Sequence, residues 1–536
     1  MATTPRRAPR KAAARAAAGP SSPLQEPIRR QAVVIVHGQG EQRPMGTIRD
    51  FVKALWQQNP QLDTAGEEHP RPRPIWIVPD DKSGLYELQR ITTPEHNGRR
   101  TDFFELYYAD LLNATPLRNL WRWMKRLLWI DPADVPGHMK WPWGVFWFFT
   151  VVAIICALFA VLGLPDLLRM SWYDHFVSPQ ATRGHIISLT ALALILLPKF
   201  FNVLAWLKWV PRRLLIVVIA LGVLDSFGWN GHVVNLMILG ALIYLAETLL
   251  LPYFGDAASY LSAQTETVQS RQGVRNRGLA LLKALHEDTT YDRVIIIAHS
   301  LGSVLAYDLL HILWREVGPT KDNPPSPEAV AAFAALDAYV ASMPQDNWSP
   351  DQVETYQSLQ WDLFEALRRQ KGKPGTTELS GWKISDLVTL GSPLSSAEFL
   401  ITDGRDDFSR MKSERVLPTA PPQPYDSTHG ALFPNGDRGP AAHHAAVFSA
   451  VRWTNLYDRA ESPLFLLGDA ISGPLAGKER FGPAIADIRV NITWGRLGWR
   501  LFTHNFYWTD TASEGQPPAS HVTAFRTAVG LERGIT

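Results

Sequence analysis

The residues of this chain that could do chemistry gather around one serine. Val294, Ile295, Ile296 and Ile297 form an apolar, β-branched run, and Ala298-His299-Ser300-Leu301-Gly302 follows it directly. Val304 to Leu310 then has the pattern of a helix. A strand, a sharp turn carrying serine and a helix together push a hydroxyl out of a strained backbone, where it can serve as a nucleophile. Small residues two before and two after the serine are required, because a branched side chain there would strike the neighbouring strand or helix. Ala298 and Gly302 meet that requirement. The chemistry expected of such a serine is acyl transfer, which also needs a base, an acid to orient the base and donors for the oxyanion.

Oxyanion donors are expected from two places. Gln31 to Val36 reads as a strand that runs into His37-Gly38-Gln39-Gly40. The glycines let that loop bring a main-chain N–H, that of Gln39, up to the reacting carbonyl; the second donor is the N–H of Leu301. His37 reads as a structural hydrogen-bonding residue and not as the base. Asp458 and Glu461 directly follow a strand-like run, Val451 to Tyr457, and both are placed to orient an imidazole. Asp386 precedes its own strand and reads as a strand-edge or turn carboxylate. His504 follows the last strand-like run, Ile485 to Ile492, and is the expected base; His521 is a second candidate. His443 and His444 come before the acid and break the order serine, acid, histidine. His429, His443 and His444 lack the carboxylate or cysteine spacing of a metal site, so no metal is expected.

The elements that must position these groups alternate between strand and helix. Strand-like runs occur at 31–36, 102–110, 294–297, 384–390, 451–457 and 485–492, and an amphipathic helix is predicted over 271–287. Alternation of this kind predicts an α/β fold with a mostly parallel sheet. The motifs at 36–40, 298–303, 389–393, 453–458 and 504–508 resemble those of the α/β-hydrolase lipases, in particular bacterial lipase-like hydrolases related in pattern to GPI inositol-deacylases. The resemblance covers the two stretches that flank residues 141–255. It implies an α/β-hydrolase fold and ester hydrolysis through an acyl-enzyme, without a cofactor. It also implies an acid shortly after the Tyr457-Asp458 pair, close to where Glu461 stands.

Between those stretches lies a different kind of sequence. Residues 144–164 carry no charge and follow Trp141 and Trp143, with Trp147 inside their first turn. At about 1.5 Å per residue, such a run covers the roughly 30 Å core of a bilayer. Residues 186–207, 214–231 and 229–246 are further apolar stretches, interrupted by Pro198, Lys199 and Asp225. If strands before and after this block share one sheet, the number of crossings is even, and four are expected. Basic residues flank the first span, the second connection and the last exit, which predicts a cytoplasmic catalytic domain. The expected organisation is a basic tail over 1–30, hydrolase sequence over 31–140, transmembrane helices over 141–255 and hydrolase sequence over 256–536, with a cap over 312–380.

Composition excludes some functions. Lys plus Arg exceeds Asp plus Glu by only two, 53 against 51, so no nucleic-acid partner is expected. The one cysteine, Cys156, permits no intrachain disulfide. The function expected from these readings is a membrane-anchored serine hydrolase acting on a lipid or lipid-like ester, with Ser300, His504 and Glu461 or Asp458 as its triad and the bilayer as its partner. A thioesterase acting on lipidated protein, or a catalytically silent membrane scaffold, are the alternatives.

Overall fold

Strand β1 (Arg30–Val36) is apolar on both faces, and that decides its place. Ala32, Val34 and Val36 feed one buried cluster, while Val33 and Ile35 feed another. A strand buried on both sides must lie inside a sheet covered twice. The computed structural model describes residues 28–38, 43–63, 71–112, 128–132, 260–261, 268–321, 323–370, 381–460, 467–469, 471–493, 503–510 and 517–534, with isolated positions 135, 140, 143, 144, 147, 150, 151 and 500.

Seven further strands join β1. They are β2 (Trp76–Pro79), β3 (Gln89–Thr92), β4 (Arg100–Leu106), β5 (Arg293–His299), β6 (Ile384–Leu390), β9 (Arg452–Tyr457) and β10 (Ala486–Arg489). A separate small ribbon pairs β7 (Leu432–Phe433) with β8 (Ala441–Ala442). The main sheet has the order β10-β9-β6-β5-β1-β4-β3-β2. The six strands from β10 to β4 are parallel, and β3 and β2 pair antiparallel at one edge. The chain is thus of the α/β class, with a mostly parallel sheet flanked by helices. Strands from before and after the long apolar stretch join this one sheet, with β1 pairing to β4 on one side and β5 on the other.

Helix α1 (Gly46–Val52) lies on the second face, with Ile48, Phe51 and Val52 in its cluster. On the first face lie α2 (Val268–Glu287) and α3 (Leu301–Val317), together with α4 (Pro327–Ser342) and α5 (Pro350–Arg368). A last helix, α6 (Ser520–Val529), returns Phe525, Ala528 and Val529 to the second face. Of the expected cap, residues 312–321 and 323–370 are described: α5 packs on β6, β9 and β10, and α4 packs against α5. Ser326 and Ser349 cap the starts of α4 and α5, and Phe333, Leu336, Tyr356, Leu363 and Phe364 are buried in the first-face core.

The apolar stretches expected to cross a membrane lie outside the described residues except at a few positions near the start of the first. Among the described residues no helix is long and apolar enough to cross a membrane.

Asp386, read from sequence as a strand-edge group, is buried near the N-terminal end of β6. Its Oδ2 accepts hydrogen bonds from Arg293 Nη2 at 2.6 Å and Ser385 Oγ at 2.5 Å. Its Oδ1 faces Arg533 at 2.9 Å and Arg452 at 2.7 Å. Burial opposes ionisation, but the guanidiniums of Arg452, Arg293 and Arg533 outweigh it and hold this carboxyl far below its ordinary range. Arg293 and Arg99 also donate to carbonyls at the end of α6 and just beyond it, those of Gly530, Leu531 and Arg533. The C-terminal segment is thereby tied to the N-terminal ends of the strands. Asp386→Ala would leave three guanidiniums facing one another, and a loss of about 3–5 kcal/mol is expected in chemical denaturation. Arg410→Ala, in an exposed pair, should leave the midpoint in place.

Candidate active site

Chain connections after β1 and β5 run to opposite faces of the sheet, one into α1 and the other into α3. In open parallel sheets, ligands bind at the carboxyl ends of strands where this reversal occurs. Ser300 stands there. Its backbone is held at φ 52°, ψ −130°, a left-handed φ that is unusual for serine. Two main-chain bonds hold the turn: Ser300 N–H donates to Leu390 at 3.0 Å, and Ser303 N–H donates to Ser300 at 2.9 Å. Gly302 must lack a side chain, since a Cβ would fall 2.3 Å from the His37 carbonyl oxygen and 2.6 Å from that of Val36. Gly38 is nearly as confined: a Cβ there would lie 2.8 Å from His299 Nδ1 and 3.0 Å from Ser300 Cβ.

The imidazole of His504 meets this serine. His504 Nε2 lies 2.8 Å from Ser300 Oγ. His504 sits in a short 3-10 turn, Thr503–Asn505, well beyond β10. Its other nitrogen, Nδ1, lies 2.9 Å from Oδ2 of Asp469. Asp469 is fully buried, and Oδ1 accepts the N–H groups of Ile471 at 2.9 Å and Ser472 at 3.3 Å. Burial alone would push this carboxyl up. The adjacent His504 imidazole, the Ile471 N–H and the Tyr507 hydroxyl prevail and hold it at about 2. Asp469 is therefore the carboxylate that faces the imidazole.

The sequence pointed to Asp458 or Glu461 for that place, and the structure corrects the first. Asp458 Oδ1 accepts from Arg500 at 2.8 Å and Oδ2 from Thr503 Oγ1 at 2.7 Å, so its carboxylate is turned away to hold the segment preceding His504. Glu461 lies outside the described residues. The chain leaves the sheet after Asp458 and comes back so that Asp469 N–H donates to the Asp458 carbonyl at 2.9 Å. Asp469, eleven residues on, thus stands beside the end of β9. Gly468-Asp469 was the available signal: Gly468 has φ 95°, and the Asp469 side chain forms a turn with amides two and three residues on.

The remaining expected residues are placed as follows. Leu301 opens α3, where the first amides have no acceptor within the helix and form a positive end beside Ser300. Gln39 and Gly40 lie outside the described residues. His37 is buried: its Nδ1 donates to the Gly38 carbonyl at 2.6 Å, and its Nε2 accepts the Tyr108 N–H at 3.3 Å. Its ring stacks on Tyr108 at 4.3 Å, and burial lowers it to about 4, so it serves as a neutral support. His299 Nε2 donates to the His504 carbonyl at 2.8 Å, and its ring packs against those of His504 and Trp508. Burial and the neighbouring His504 lower His299 to about 3, which keeps it neutral as well. His521 bonds the Thr509 carbonyl instead of the serine. Among the described residues no cluster of His, Cys, Asp or Glu could hold a metal ion.

Two further residues near the site were not singled out in the sequence as members of it. Gly391, at the end of β6, has φ 59°. A Cβ there would stand 2.9 Å from the Tyr507 ring, 3.0 Å from Asp469 Oδ2 and 3.1 Å from His504 Cε1. Glu105, at the end of β4, is buried with one oxygen on the Met45 N–H at 2.6 Å and the other without a hydrogen-bond partner among the described residues.

Comparisons with protein families, with curated proteins and with solved structures find no match to this chain.

Burial raises Glu105 to about 7, with the Met45 N–H opposing it, against 4.5 for an ordinary glutamate. An acid raised on folding costs stability when ionised. The cost is absent below about pH 4.5, grows with pH and is complete above about pH 7. The melting temperature of the native chain should therefore fall relative to that of Glu105→Gln as pH rises through this window. Parallel curves for the two proteins would contradict the assignment.

Proposed function

We propose that this chain is a serine hydrolase of the α/β-hydrolase type that cleaves a lipid or lipid-like ester beside a membrane. One observation carries the reading: Ser300 Oγ, the His504 imidazole and the Asp469 carboxylate form a continuous chain with contacts of 2.8 and 2.9 Å. Hydrogen-bond reach on both sides of one imidazole is the geometry of nucleophilic acyl transfer. The residues also follow one another in the order serine, acid, histidine.

In this mechanism His504 Nε2 takes the Ser300 proton as Oγ attacks the ester carbonyl. Asp469 fixes the Nδ1–H tautomer and stabilises the imidazolium that forms. The Leu301 N–H faces the oxyanion, with the second donor assigned to Gln39. Collapse of the tetrahedral adduct expels the alcohol, which leaves with the proton from His504. Water then attacks the acyl-serine with His504 again as base, releasing the acid and restoring Ser300. Removing one oxyanion donor costs about 3 kcal/mol in enzymes where this has been tested.

The lipid character of the substrate and the membrane location rest on the uncharged run at 144–164 and the apolar stretches after it. A cytoplasmic catalytic domain rests on the basic flanks of those stretches. A thioester of a lipidated protein would use the same machinery. Hydrolysis of p-nitrophenyl esters, phospholipids in vesicles and acyl-thioesters distinguishes these substrates, with long-chain oxygen esters expected to lead.

Membranes holding the full chain should react with a fluorophosphonate probe at Ser300. Ser300→Ala should remain unlabelled, and Gly391→Ala, which displaces three members of the site at once, should label about 100-fold more slowly. Equal labelling of the native chain and Ser300→Ala would refute the nucleophile assignment.

A further inference from the structure

Asp469 has a partner that the proposed mechanism does not use. Tyr507 lies three residues beyond His504, and its side chain is fully buried. Its Oη is 2.8 Å from Asp469 Oδ2, the oxygen that also meets His504 Nδ1. Oη accepts the Asp458 N–H at 3.0 Å and stands 3.0 Å from Ser472 Oγ. The phenol has one proton to give. A carboxylate is a stronger acceptor than a hydroxyl, so the proton goes to Asp469.

We infer that Tyr507 is a positioning residue of the active site, acting on the reaction through Asp469. Oδ1 is already held by the Ile471 and Ser472 amides. Tyr507 fixes the second oxygen, so the carboxylate plane cannot swing away from His504. By accepting the Asp458 N–H, the same hydroxyl couples the end of β9 to the residue that returns beside it eleven positions later. His504 and its acid are thus registered to each other by a side chain from the histidine's own segment. Gly391 makes this possible, because a Cβ at that position would press on the Tyr507 ring.

This inference rests on the hydrolase reading, and its test separates the two. Tyr507→Phe keeps the ring and removes the hydroxyl. It should slow fluorophosphonate labelling of Ser300 by about 10-fold, with kcat for a soluble ester falling and KM held. In an Asp469→Asn background the same substitution should change the rate by less than about 2-fold, since an effect transmitted through the carboxylate is lost with it. Losses that multiply would show that Tyr507 only fills the core, and would overturn the inference while leaving the hydrolase reading intact. A native chain never labelled at Ser300 would overturn both. Should Tyr507→Phe fail to fold, 3-fluorotyrosine at 507 retains the hydroxyl and makes it a stronger donor. It should alter the rate in the native background and not in Asp469→Asn; an equal effect in both would again count against the role.

Discussion

Both nitrogens of one imidazole are committed in this structure, and the site exists only while they remain so. His504 Nε2 faces a serine that lies 204 residues earlier, and Nδ1 faces a carboxylate 35 residues earlier. A histidine so held can present only one tautomer to the serine. Its own carbonyl is pinned by His299, the residue before Ser300, so the ring is located from the backbone side as well. Five stretches of chain meet within this arrangement: the end of β1 at 36–38, the β5–α3 turn, the end of β6, the segment at 467–469 and the turn at 503–507. Their approach is possible because Gly302, Gly38 and Gly391 carry no side chain.

The sheet separates its tasks along the strand direction. At the carboxyl ends lies the serine turn, at the crevice between β1 and β5 where the connections diverge. At the opposite ends lies the Asp386 cluster, which ties β5, β6, β9 and the C-terminal segment together through buried guanidinium–carboxylate contacts. Breaking one partner of such a cluster is costly because the others are left charged and buried. The scaffold can therefore hold a strained residue such as Ser300 at its other end. β1 is central to this division, since it joins strands from both sides of the long apolar stretch into a single layer.

Local features were legible in the sequence. The serine turn was visible because its requirement for small neighbours is satisfied within five residues. The run 294–297 read as a strand because both faces are apolar, 384–390 because it ends in the Gly391-Ser392-Pro393 turn, and 271–287 read as a helix from its spacing. His504 was found by order alone. Asp469 was not, because its position depends on a return to β9 that no spacing rule encodes, whereas Asp458 and Glu461 were adjacent to the strand. Asp386 looked peripheral because the arginines that surround it come from residues 293, 452 and 533. Residues 312–380 suggested a cap by position only; in the described part of that stretch α5 lies on the sheet and α4 lies against α5. The apolar block was the plainest signal by hydropathy, and it lies outside the described residues.

The most direct measurement compares the two aspartates near the histidine. Asp469→Asn and Asp458→Asn would be assayed side by side for kcat on a p-nitrophenyl ester, with labelling of Ser300 as the active-site count. If Asp469 orients His504 in a serine hydrolase, its substitution lowers kcat by about 10⁴-fold, as loss of the orienting acid does in serine proteases, while Asp458→Asn stays within about 10-fold. A large loss at Asp458 with near-native turnover in Asp469→Asn would contradict the account.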